Sequence, residues 1–200
     1  MRTLLITYLL LVSFQSYTQT TLIPDQNFEQ ALIDLGYDNT LDGTILTSNI
    51  AGITFLDVTY LGINDLSGIQ DFASLETLLC YANNLTTIDI SQNLNLSVLD
   101  CSTNHLSALD LTHNTLLEKV ACSWNNLSTM DLALNSAIRK LNCSNNEITV
   151  LDLTNNSLLD TLSCAYNLIS NIDVSQNPFL KYLDFAYNDV SSVDLSLIHI

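Results

Sequence analysis

The sequence predicts a β-rich solenoid, with two short parallel strands in each turn and a small helical cap at its N-terminal end. Apolar residues make up 48% of the 200 residues, enough for a continuous core. Five glycines and two prolines are too few for a turn-rich sandwich. The main observation is a fixed interval of 21 residues between cysteines, which marks stacked structural repeats. These cysteines are Cys80, Cys101, Cys122, Cys143 and Cys164.

Residues 1–20 have the layout of a secretory signal peptide. Met1 and Arg2 give a positive start, the apolar run Leu4–Phe14 follows, and polar residues fill positions 15–20. The run is too short to span a bilayer, although a membrane anchor is the alternative interpretation. We therefore predict export to the cell surface or the medium, with no membrane insertion after the signal is removed.

Residues 21–52 are predicted to form the N-terminal helical cap. A helix over Asp25–Leu35 would begin after Pro24 and end at Gly36, both of which suit those places. Such a helix would cover the first turn of the solenoid, as the ends of repeat arrays require. Its predicted apolar stripe consists of Phe28, Ala31, Leu32 and Leu35.

The segment Asp38–Gly43 half resembles the start of a calcium-binding loop. Asp38, Asp42 and Gly43 are in register, but Thr40 and Asn49 stand where the loop would need further ligands. The alternative is an ordinary turn rich in Asp, Asn and Gly.

Residues 53–196 carry the repeat array, with the pattern LxxLxCxxNxLxxLDLSxNxx. One 22-residue copy, Ile53–Ser74, precedes five 21-residue copies over 75–179 and a partial copy from Leu180. Positions are numbered within a copy from its first apolar residue, Leu75 in the second copy. Each copy has two similar halves, and apolar residues alternate with polar ones at positions 4 and 6 and again at 14 and 16. This alternation predicts two parallel strands per turn.

Four ladders of like residues follow from the register, one of cysteine, two of asparagine and one of aspartate. The cysteines at position 6 could form disulfides or bind metal, but a buried packing ladder fits better because Val58 and Phe185 replace them in the outer copies. The asparagines at positions 9 and 19 are predicted to bond backbone groups at the corners. The aspartates at position 15 point outward, either as a cation-binding stripe or as a solvated edge that deters strand pairing.

Residues 197–200 are predicted to form an apolar end of the array without a cap. The expectation is that the chain is a fragment or that another element covers this end.

The repeats resemble leucine-rich repeats, on the strength of LxxLxCxxNxL with Asn at the corner. Ile53–Ser74 looks like an internalin-type repeat, and the later copies look like the nested 21-residue bacterial class known as IRREKO. The segment from Ile23 through Ile50 resembles the cap of secreted Bacteroidetes proteins. The resemblance implies a leucine-rich repeat solenoid that serves as a secreted or surface-exposed interaction module.

The charge balance limits the partners. With 21 acidic and five basic residues the formal charge is −16, which disfavours nucleic acid. Three histidines without a catalytic neighbourhood disfavour an enzyme, and no cofactor or metal is expected.

Outward-facing aromatic residues and nearby lysines are the candidate binding residues for a protein or glycan, with the protein acting as a monomer. Scattered surface aromatics, or a structural spacer that displays another domain, are the alternatives. The candidates are Trp124, Tyr166, Tyr182, Tyr187, Tyr81, Lys140 and Lys181.

Overall fold

A single parallel sheet runs the length of the repeat array. The computed structural model describes residues 19–191 and 193, so most of the predicted signal peptide and the apolar end 197–200 lie outside the described residues. Seven strands follow one another in sequence order in this sheet. The strands are β3 Phe55–Asp57, β4 Thr77–Leu79, β5 Val98–Asp100, β6 Lys119–Ala121, β7 Lys140–Asn142, β8 Thr161–Ser163 and β9 Tyr182–Asp184.

Each strand residue pairs with the residue at the same repeat position one turn later. Leu99 lies opposite Val120, for example, and Lys119 opposite Lys140. Side chains of one kind therefore line up along the axis, about 4.8 Å apart. This register confirms the predicted leucine-rich repeat solenoid.

The expected second strand of each turn does not form in the described turns, and this part of the prediction is wrong. Ile88–Ile90 belongs to no strand or sheet. The backbone N–H of Asn93 donates to Ile90, and that of Leu96 donates to Asn93, so the second half closes tight turns on itself. The carbonyl of Ile90 also accepts from Nδ2 of Asn114 in the next turn, so a side chain makes the contact that a strand ladder would otherwise make.

The core is a continuous stack of apolar side chains between the sheet and the second halves of the turns. The five repeat cysteines are fully buried and unpaired, which confirms the packing ladder. Burial raises the pKa of the Cys101 thiol to about 12. The thiols are therefore neutral packing groups.

The first asparagine ladder ties adjacent turns together. Asn125 accepts from the N–H of Leu106 through Oδ1 at 2.9 Å. Its Nδ2 donates to the carbonyls of Cys101 and Cys122, at 3.1 Å each. These are the corner groups that the strand leaves unpaired, so the predicted structural role of this ladder is confirmed.

The cap contains the predicted helix, α1 Gln26–Asp34, with Asp25 as its N-cap and Leu35 as its C-cap. Two short strands, β1 Thr20–Leu22 and β2 Thr44–Leu46, form an antiparallel pair beside it, and α2 Thr47–Ile50 follows. Strand β1 begins on the last residue of the predicted signal peptide. The carbonyl of Gln19 also accepts a hydrogen bond from Thr47.

The apolar stripe of the helix is shorter than predicted. Phe28, Ala31 and Leu32 are buried, but Leu35 is 46% exposed because it follows the last helical residue. Glu29 is buried instead, and its Oε1 accepts from the N–H groups of Asp42 and Gly43. A buried carboxylate thus holds the following loop against the helix.

Candidate functional site

Residues at position 8 form the outer corner at the end of each strand. Each of them has a positive φ between 54° and 59°, which is uncommon for residues other than glycine. In six of the seven copies the next residue is the inward asparagine, whereas Leu61 follows Tyr60. The left-handed residue reverses the chain and projects its own side chain outward. These residues are Tyr60, Ala82, Thr103, Trp124, Asn145, Tyr166 and Tyr187.

The predicted aromatic residues at this corner are exposed. Trp124 is 63% exposed, Tyr166 50% and Tyr187 72%. Their outward orientation was predicted from the register and is confirmed. We call the position 8 aromatics, with the adjacent Tyr81, the aromatic edge.

Tyr166 and Tyr187 stack on each other across consecutive turns. Their ring centroids are 4.2 Å apart and their planes differ by 12°. A hydrogen bond between the two side chains raises the pKa of Tyr166 above its usual value. The predicted neighbourhood of these residues is therefore confirmed, and the pair covers one face of each ring.

A second aromatic pair lies at the N-terminal end of the edge, and the sequence analysis identified only one of its members. Tyr60 meets Tyr81 in an edge-to-face contact with ring centroids 4.9 Å apart. The Tyr60 hydroxyl donates to that of Tyr81 at 2.9 Å, and this bond raises the pKa of Tyr60. Tyr60 occupies position 8 of the 22-residue copy, so the repeat register is the signal that could have identified it.

The outward face of the sheet, which we call the strand face, carries two exposed lysines side by side. Lys119 and Lys140 are direct partners across β6 and β7. Around them lies a shallow depression of about 400 Å³ whose floor includes Val98, Ala121 and Asn142. The structure thus places Lys140 beside a lysine that the sequence analysis did not select.

The other two predicted residues lie at the last described strand. Tyr182 is the first residue of β9 and is 53% exposed on the strand face, not on the aromatic edge. Lys181 precedes it and is exposed. The stacked pair belongs to this region, whereas Lys140 lies two turns away.

The outward aspartates at position 15 form what we call the acidic face, and their carboxylates cap turns. Asp131 accepts from the N–H of Ala133, two residues on, at 3.0 Å. The same bond from Thr154 lowers the pKa of Asp152. These contacts support the solvated, turn-forming interpretation of the position 15 aspartates.

The Asp38–Gly43 loop also uses its carboxylates internally. Asp42 accepts from the backbone and hydroxyl of Thr44, and Asp38 accepts from Asn39. Within residues 19–191 and 193, no three His, Cys, Asp or Glu side chains gather as metal ligands would. The hydrogen bonds describe an Asx turn.

The chain is similar to a curated protein over part of its length and to several solved structures. No family model matches the sequence. Internalin J of Listeria monocytogenes serotype 4b (strain F2365) is 36% identical over 70 residues, which are 35% of this chain and 8% of that protein. The chain thus spans a small part of that relative's length.

Solved structures similar to the chain include an internalin C2 of Listeria monocytogenes, with a TM-score of 0.66 and 21% identity over 92% of this chain and 94% of that one. A leucine-rich repeat protein of Leptospira interrogans has a TM-score of 0.60 and 22% identity, over 63% of this chain and 35% of that one. The functional domain of InlJ from Listeria monocytogenes, described as including a cysteine ladder, has a TM-score of 0.49 and 29% identity, over 90% of this chain and 50% of that one. The 21-residue pattern and the shared solenoid fold together support a leucine-rich repeat protein.

Proposed function

We propose that the chain is a secreted or cell-surface interaction module that binds a protein or a glycan through its strand face and aromatic edge. The observation that carries this proposal is the exposure of Trp124, Tyr166 and Tyr187 at corners of one rigid array. Left-handed backbone is unfavourable for bulky residues, so the fold accepts a cost at positions where these rings do little for the core.

Aromatic side chains of this kind supply most of the energy in many interfaces, and they do so at a low entropic cost. The strand face varies from turn to turn at position 3, from Val98 to Lys119 to Thr161. Variation on a repeating frame suits recognition of one partner. A spacer, the alternative function, would be served by near-identical outward residues.

Export fits the N-terminal segment, residues 1–20, in the manner of secreted Bacteroidetes proteins. Because Gln19 and β1 take part in the cap, cleavage of the signal before Gln19 would keep these contacts. Among the described residues, none of the helices has the length and apolar character needed to cross a bilayer. The module acts as a monomer without a cofactor and has no enzymatic activity in this proposal.

The test is to isolate a partner with the secreted chain and to measure its affinity for three variants. Trp124→Ala and Tyr166→Ala should each weaken binding by at least tenfold, since aromatic anchors typically contribute about 2 kcal/mol or more. Asp131→Ala on the acidic face is the control and should leave affinity unchanged. Loss of binding in the Asp131 variant alone would place the site on the opposite side of the solenoid.

A further inference from the structure

The aromatic edge contains a gap of one ring, and a pair of lysines lies on the same turns. We infer that this gap, over Asn145 and between Trp124 and Tyr166, receives an apolar side chain of an extended protein segment. An acidic side chain of that segment then lies on Lys119 and Lys140. The inference rests on the proposed function and names the class of partner.

The gap follows from the common geometry of position 8. The backbone φ is nearly the same at four corners of this row: 56° at Trp124, Asn145 and Tyr166, and 55° at Tyr187. Their side chains therefore leave the backbone from corners of the same conformation. One turn of the solenoid holds one ring in this row, as the 4.2 Å stack of Tyr166 on Tyr187 shows. Trp124 and Tyr166 are two turns apart, about 9.6 Å at the usual strand spacing. Between them stands only Asn145, which is half-buried.

Lys119 and Lys140 supply the positive charge that would bind the acidic side chain of the segment. Lys119 and Lys140 face each other across adjacent strands, and like charges in this arrangement repel. Within the described part of the chain neither side chain has a hydrogen-bond or ion-pair partner. A carboxylate placed between the two ammonium groups would remove this repulsion. Ala121 and Asn142 beside them are uncharged, and Asp100, the partner of Ala121 on β5, lines the far side of the same depression.

The two features fit one segment. Lys140 and Asn145 belong to the same turn and are five residues apart, at most about 16 Å along extended chain. A partner segment of about five residues that runs along β7 would reach from one feature to the other. Because the chain carries a formal charge of −16 with only five basic residues, few other places on it can accept an acidic segment.

The stacked rings favour a peptide over a sugar. Tyr166 and Tyr187 each cover one face of the other, so this pair presents ring edges outward. A pyranose binds best on an open ring face, whereas a flat side chain can enter between two rings that stand on edge. Offset stacking of aromatic side chains contributes about 0.5–1.5 kcal/mol beyond the burial of their area.

Trp124 is the only tryptophan, so its fluorescence reports directly on the gap. The probe is the peptide acetyl-Phe-Ser-Ser-Ser-Glu-Glu-amide, titrated into the secreted chain. We expect a saturable change in Trp124 emission. Two matched peptides, with Ala for Phe or with Lys-Lys for Glu-Glu, should bind at least tenfold more weakly.

Protein variants separate the two halves of the inference. Asn145→Tyr repeats the Tyr166–Tyr187 arrangement inside the gap and should reduce peptide affinity at least tenfold, with a folded array and a slightly lower urea midpoint, since tyrosine suits a positive φ less well than asparagine. Ala82→Tyr introduces the same residue at position 8 two turns from Trp124 and should bind the peptide normally. The double variant Lys119→Gln, Lys140→Gln should bind the Glu-Glu peptide and a third matched peptide, with Ser-Ser for Glu-Glu, equally.

Normal peptide binding by Asn145→Tyr would overturn the gap, and an undiminished preference for Glu-Glu in the double variant would overturn the lysine site. A change in Trp124 emission with cellohexaose or chitohexaose, but not with the peptide, would show that the edge binds a glycan. That result would refute this inference and leave the proposed function standing. The proposed function fails separately, if Trp124→Ala and Tyr166→Ala retain the affinity of the isolated partner.

Discussion

The two halves of each turn have similar sequences but different structures. In the first half, the strand bonds to the next turn through its backbone, as from Cys101 N–H to Ala121. In the second half, the backbone closes turns within the half itself, as from Asn93 N–H to Ile90. The contact between turns there is made by asparagine side chains. Asn114 donates through Nδ2 to the carbonyls of Ile90 and Asn93, at 3.0 Å each.

The comparison shows that an asparagine ladder can act with a sheet or replace one. In the first half the amide is used at both ends, since Oδ1 of Asn125 accepts while Nδ2 donates. In the second half several buried Oδ1 atoms, among them that of Asn114, have no protein partner. The first half is therefore the better satisfied part of each turn, and it also carries the strand face and the aromatic edge.

Alkaline pH should produce the largest effect, and it acts on the first half, where the buried thiols lie. Burial raises the pKa of Cys101 and of Cys164 to about 12 from an ordinary value of 9.0. Between these values the folded thiol stays protonated while the unfolded one ionises, so the unfolded state binds fewer protons. Stability therefore falls as the pH rises from about 9 to 12, by about 1 kcal/mol per thiol at pH 10.

Urea midpoints at pH 8 and pH 10 measure this effect. Cys101→Val should have a smaller pH dependence, because it removes one of the thiols and keeps an apolar side chain. Titration in denaturant should find five free thiols. Identical midpoints at the two pH values would contradict the burial of the ladder.

Removal of one amide from each ladder should sharpen the contrast between the halves. Asn125→Ala leaves the N–H of Leu106 and the carbonyls of Cys101 and Cys122 with fewer partners. We expect a loss of about 3 kcal/mol, since a buried unsatisfied group costs about 1–3 kcal/mol. Asn114→Ala removes donors alone and should cost about half as much.

Urea denaturation monitored by circular dichroism compares the two variants. Thr103→Ala serves as the baseline because Thr103 is exposed, and it should change stability far less than Asn125→Ala. Equal midpoints for the two asparagine variants would show that the halves are bonded equally well.

The smallest expected effect is a gain at the corner. Thr103 is a β-branched residue with φ 54°, a conformation that asparagine tolerates better. Thr103→Asn should therefore stabilise the array by up to about 1 kcal/mol. The control is Thr115→Asn, an exposed position of the second half without a positive φ, which should be neutral or slightly destabilising. If both variants were more stable, the asparagine side chain itself, rather than its tolerance of a positive φ, would explain the increase in stability.

Much of the candidate site followed from the repeat register. Once the cysteines fix the 21-residue interval, the burial of Cys122 and the exposure of Trp124 follow from their positions in the copy. The adjacency of Tyr166 and Tyr187 follows in the same way, because residues 21 apart lie on neighbouring turns. The register could not give the orientation of their rings, which depends on how two side chains stack at a corner of left-handed backbone.

The sequence by itself determined the solenoid, the inward and outward positions and the presence of a cap helix within Asp25–Leu35. The tertiary structure decided that only one half of each turn forms a strand, because tight turns and asparagine side chains bond the carbonyls of the second half, such as that of Ile90. It also decided that Leu35 is exposed and Glu29 buried, since the groups that meet Glu29 come from the loop at Asp42 and Gly43. In both cases the groups that compete for these residues either lie far away in the sequence or are favoured equally by the local sequence. Only the folded arrangement therefore selects between them.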